Sequence, residues 1–124
     1  MGKHKSIVFV LEASPTAHLR FFEGLRMALG FSVSHRPVTL LLMGEGLRIL
    51  LPIAPKLLGL PPEINEVVPL LKELGVAVFA LEADLDRFFL DRPVPDFVQP
   101  VGAEDVQKLI SSAEIVIPFL KRSE

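Results

Sequence analysis

Apolar residues gather in short runs along this chain, and the spacing between the runs switches from continuous to helical and back. The first run, Ile7-Val8-Phe9-Val10-Leu11, has no alternation. That pattern predicts a strand buried on both faces, as in parallel sheets covered by helices. Glu12-Ala13-Ser14-Pro15-Thr16 breaks it. Ser14 can cap a helix, and Pro15 at the first helical position loses no useful N–H. Phe21, Phe22, Leu25, Ala28 and Leu29 then share one face at helical spacing. Gly30 reads as the helix stop, and Phe31 to Arg36 as a polar connection.

The same unit recurs. Pro37 opens a second strand, Val38 to Met43, again without alternation. Gly44-Glu45-Gly46 turns the chain into a short helix, Leu47 to Leu51, that ends at Pro52. Pro52 to Pro62 holds four prolines and one glycine, so it reads as a loop. Its side chains Ile53, Leu57, Leu58 and Leu60 should lie against something. Glu63 to Leu74 is a helix with Val67, Leu70, Leu71 and Leu74 as its face, stopped by Gly75. Pro69 inside it predicts a kink or a later start. Val76 to Ala80 is the third strand, followed by a short helix to Phe88 or Phe89. Phe97 to Val101 holds Pro100, so it reads as a strand that is weak or near an edge, and Glu114 to Leu120 holds Pro118, so it reads as short or at an edge. Between them runs a helix, Ala103 to Ser111, with Val106, Leu109 and Ile110 inward.

Strand and helix thus alternate with no hairpin signal. The expected architecture is a single α/β domain over residues 1–124, three layers (α/β/α) around a mostly parallel five-stranded sheet.

Composition adds limits. Half of the 124 residues are hydrophobic, more than a small domain readily buries. That surplus predicts an oligomer, with the apolar segment Leu47 to Leu74 as contact surface. The formal net charge is −2, which is no footprint for nucleic acid. Leu47 to Leu60, the most apolar region, contains Arg48, Lys56, two prolines and Gly59, and falls short of a membrane span. A strand pattern begins at once, without a signal-peptide layout, so the expected location is cytoplasmic. Cysteine is absent, which removes disulfides and thiolate chemistry. His4, His18 and His35 lack metal-ligand spacing, so neither metal nor cofactor is expected.

In such a sheet, ligands bind beyond the carboxyl ends of the strands. Three turns lie there and carry Glu12, Ser14, His18, Glu45, Glu82 and Asp84. They could form a small acid–base pocket, or serve as ordinary caps and solvated turns. Gly44-Glu45-Gly46 is not a dinucleotide loop, because the third glycine is missing and the turn follows the second strand.

The strand Ile7–Leu11 with SPTAHLRFFEGLRMALG, then TLLLMGEGLRILLP, VVPLLKELGVAVFALEADLDRF and SSAEIVIPFL, resembles the DsrE/DsrF/TusBCD sulfur-relay family. GEGLRILLP looks most like the DsrF/TusC branch. The resemblance implies a DsrE/F-like fold in the cytoplasm. It also implies a homo-oligomer (trimer or hexamer), or a hetero-oligomer with related DsrE-like subunits. In catalytic members a cysteine after the third strand carries a persulfide. Its place aligns with Leu81 here, and no neighbour is a cysteine. The expected role is therefore a non-catalytic, structural or regulatory subunit. The alternative is a small-ligand-binding protein, or an enzyme using the carboxylates and His18.

Overall fold

The strand Ile7–Leu11 (β1) is buried at every position, and the rest of the sheet is laid out around it. The computed structural model describes residues 6–14, 18–33, 37–51, 54–60 and 62–120. β1 leads to α1 (His18–Val33) and β2 (Val38–Leu42). A 3₁₀ helix (Gly44–Leu50), α2 (Pro55–Leu58) and α3 (Ile64–Glu73) precede β3 (Ala77–Leu81). α4 (Glu82–Phe88), β4 (Val98–Val101), α5 (Ala103–Ser112) and β5 (Ile115–Phe119) complete the order. The five strands lie in the order β4-β3-β2-β1-β5, and every neighbouring pair is parallel. β1 and β2 are therefore central, as their apolar residues without alternation lead one to expect, and the two proline-bearing strands are the edges.

This order fixes the layers. Successive right-handed crossovers from β1 to β4 keep their helices on one face. The return from β4 across to β5 carries α5 to the other. The side chains agree. Phe21 and Leu25 of α1, Ile64 and Leu71 of α3 and Leu85 of α4 share a core with Ile7, Phe9, Leu11, Leu40, Leu42 and Val78. Val106 of α5 packs instead with Val8, Val10, Leu41 and Val101, the alternate residues of the same strands.

Four sequence expectations change. Gly30 does not stop α1, which runs through Phe31 to Val33. Phe31 packs its ring against Phe9, with centroids 5.9 Å apart. That contact outweighs the cost of about 1 kcal/mol for an interior glycine. The expected polar connection thus begins later, and residues 34–36 lie outside the described residues, as do 15–17. In α3 the buried positions are Ile64, Val67, Val68 and Leu71. Leu70 and Leu74 stay exposed at 41% and 40%. The helix starts at Ile64 and passes through Pro69, which sits on its solvent side. Within the expected Pro52–Pro62 loop, Leu60 is buried, but Pro55–Leu58 is helical and Leu57 is 86% exposed. Ile110 of α5 is 37% exposed rather than inward. Gly75 does stop α3: its φ is +78°, and the N–H groups of Gly75 and Val76 close on Lys72 and Leu71.

Candidate functional site

The turns beyond the carboxyl ends of β1, β2 and β3 meet at Gly44. Met43 is extended, and its N–H donates to the Leu11 carbonyl at 3.0 Å. Gly44 then takes φ +51°, a conformation that favours glycine. The 3₁₀ helix that follows lies directly over the end of β1. A Cβ added to Gly46 would stand 2.0 Å from the Leu11 carbonyl oxygen. The two glycines therefore serve a left-handed turn and a close approach. They do not form a phosphate cradle.

Carboxylates from two other turns converge here. Asp84, in the first turn of α4, accepts the Gly44 N–H on Oδ2 at 2.6 Å. The Glu12 side chain also lies close to Gly44. A Cβ at Gly44 would stand 3.4 Å from its Cγ and 3.9 Å from Oε2. The backbone of Glu12 is held to β5, because the N–H groups of Glu12 and Ala13 both donate to the Phe119 carbonyl, at 2.9 and 3.0 Å. Glu12 and Asp84 are both half-buried.

Glu45 points elsewhere. Its Oε1 accepts from Nε of Arg48 at 2.5 Å, and its Oε2 accepts from Nη2 of Arg87 at 2.8 Å. Both guanidiniums also sit over the ring of Phe88, at 5.1 Å for Arg48 and 4.5 Å for Arg87. One carboxylate and one aromatic ring thus tie the 3₁₀ helix to α4. The arginine side chains are about half exposed, so each ion pair contributes roughly 0.2–1 kcal/mol.

Leu81, Glu82 and Ser14 take other places, and the His18 side chain lies outside the described residues. Leu81 ends β3, half-buried, and packs with the second-face cluster of Val8, Val10 and Leu41. Glu82 begins α4 and is exposed. Ser14 is half-buried, and α1 begins at His18. Among the described residues, no group of three or more His, Cys, Asp or Glu side chains could hold a metal ion. No described helix is long and apolar enough to cross a membrane. A cleft of about 300 Å³ opens at the opposite, amino-terminal edge of the sheet, lined by Ser6, Ser32, Thr39, Leu74, Gly75 and Ala77.

Arg48, Arg87 and Phe88 were not foreseen. The Glu45–Arg48 pair has the i,i+3 spacing of a helical ion pair, which was a usable signal. Arg87 reaches Glu45 across 42 positions, and no local pattern announces that.

No protein-family model matches the chain, and no curated protein does. Solved structures do match. The ychN protein from E. coli is similar with a TM-score of 0.77 and 23% identity, over 92% of this chain and 98% of that one. BT1422 from Bacteroides thetaiotaomicron, described as a conserved protein of unknown function, is similar with a TM-score of 0.63 and 10% identity. That match covers 92% of this chain and 94% of the other. These likenesses establish a shared fold over nearly the full length of each chain.

Proposed function

We propose that this chain is a non-catalytic relative of the DsrE/DsrF sulfur-relay proteins, acting as a structural or regulatory subunit of an oligomer in the cytoplasm. One observation carries the reading. β3 runs one residue further than its sequence pattern predicts, to Leu81, and α4 begins at Glu82, so the position where the resemblance would place a persulfide-bearing cysteine is the strand–helix junction at Leu81. The chain has no cysteine at all. The thiolate is the nucleophile that persulfide transfer needs. The whole-length likeness to ychN supports the fold side of the argument.

The carboxylates support it too. Asp84 and Glu45 are engaged in holding the 3₁₀ helix and α4 together. The resemblance to the DsrF/TusC branch favours partners that are copies of this chain or related subunits bearing the missing cysteine. The test is co-expression with a cysteine-bearing DsrE-like subunit from the same host, followed by sedimentation. A stable assembly of copies, or of both chains, is expected. A monomer near 13.7 kDa under all conditions would contradict the reading.

The junction itself can be probed with Leu81→Cys. Glu82 and Asp84 stand beside that position, and like charges raise a thiol's pKa. The introduced thiol should react with a persulfide donor no faster than a free model thiol.

A further inference from the structure

An open parallel sheet has two edges, and here each carries a proline at a register position that decides what the edge can bind. On β5, the Ile115 N–H donates to the Ser6 carbonyl, and the Phe119 carbonyl accepts the Glu12 N–H. In a parallel ladder, alternate residues turn both backbone groups to the same neighbour. Ile115, Ile117 and Phe119 therefore face β1, and Val116 and Pro118 face outward. Proline has no N–H. Val116 is left as the outward donor of this strand.

The same reasoning runs across the sheet to β4. Ile7 and Leu11 bond to β2, at Pro37 and Met43, which turns Leu40 and Leu42 toward β3. With Thr39 opposite Ala77 and Val78 opposite Val98, the residues of β4 that face β3 are Gln99 and Val101. Val98 and Pro100 face outward. The Val98 N–H is already used by the Pro95 carbonyl, at 3.1 Å. Pro100 offers none. The outer edge of β4 thus presents carbonyls and no free donor within the strand.

We propose that Pro100 and Pro118 guard the two edges, so that no further strand, from a second copy or from another protein, extends this sheet. Association must then run through the helix-bearing or apolar faces. The inference goes beyond the sulfur-relay reading and does not depend on it. An unguarded edge is a template for strand addition, because its N–H and C=O rows are unpaired. Two apolar-rich interior strands, β1 throughout and β2 apart from Thr39, lie one and two places in from these edges, so edge-to-edge stacking would be hard to reverse.

The experiment replaces each guard with a strand-forming residue that has an N–H: Pro100→Thr, Pro118→Thr and the double variant. Pro69→Ala, on the solvent side of α3, removes a proline without opening an edge. Folding is checked by thermal melts, and association by thioflavin fluorescence and light scattering under agitation. Both single variants should shorten the lag several-fold, the double variant most, and Pro69→Ala not at all. Folded guard variants with the wild-type lag, or equal shortening by Pro69→Ala, would overturn the proposal. Should the guard variants not fold, the wild type decides. The Val116 amide should exchange freely from micromolar to millimolar protein. Protection that grows with concentration would mean a strand docks on that edge, and the proposal would fall.

Discussion

The two faces of the sheet are made by the same five strands and are finished very differently. On one, α1, α3 and α4 seal Phe9, Leu11, Leu40 and Leu42 completely. On the other, a single ten-residue helix, α5, is about 15 Å long at 1.5 Å per residue. It must cover five strands spaced about 4.8 Å apart. The central residues Val8, Val10 and Leu41 are buried there, but Phe79, Leu81, Met43 and Val116 stay half-open. The lesson is that strand burial follows position in the sheet, whereas face burial follows the direction of the crossovers. Three crossovers go one way and one comes back, so one face carries α1, the 3₁₀ helix, α3 and α4 while the other carries α5 alone.

Substitutions should reproduce that difference. The largest effect belongs to the sealed face. Phe9→Ala removes a fully buried ring that meets Phe31 and Phe119, and should cost about 3–5 kcal/mol in a denaturant melt. Gly46→Ala tests where the 3₁₀ helix is pressed onto β1. The new methyl meets backbone rather than a mobile side chain, so it should cost about 1–3 kcal/mol. On the other face, Val106→Ala removes two carbons from the best-buried residue of α5 and should cost about 1.5 kcal/mol. Loss equal to that of Phe9→Ala would mean that the two faces are equally packed. The smallest change is Arg87→Ala, which breaks a half-exposed pair with Glu45. About 0.5 kcal/mol is expected, and the loss should shrink further in high salt.

The sequence made the sheet easy to read and the helix faces harder. Ile7–Leu11 was located to the residue, and Val38–Met43 overran by only one, because apolar runs that do not alternate mark central parallel strands. Of the two readings that Pro100 and Pro118 allowed, a weak or short strand or an edge strand, the sheet order puts both strands at the edges. Gly30 misled, because the contact of Phe31 with Phe9 is tertiary and leaves no local trace. Leu70 and Leu74 misled because an apolar residue at helical spacing can belong to either of two overlapping stripes. Ile64 and Val68, not those two, complete the buried stripe. At the carboxyl edge, two of the expected carboxylates, Glu12 and Asp84, do lie close to Gly44, whereas Leu81 belongs to β3 and Glu82 opens α4 directly. That Glu45 would instead turn toward Arg87 depends on how α4 docks, which spacing does not encode.

The most direct test concerns sulfur. Under the proposed function, β3 ends in Leu81 where a sulfur carrier would present a thiol. The purified protein is incubated with a persulfide donor, desalted and weighed intact. The expected result is an unchanged mass, with and without a cysteine-bearing partner subunit present. A stable gain of one sulfur atom on this chain, removable by reductant, would contradict the account.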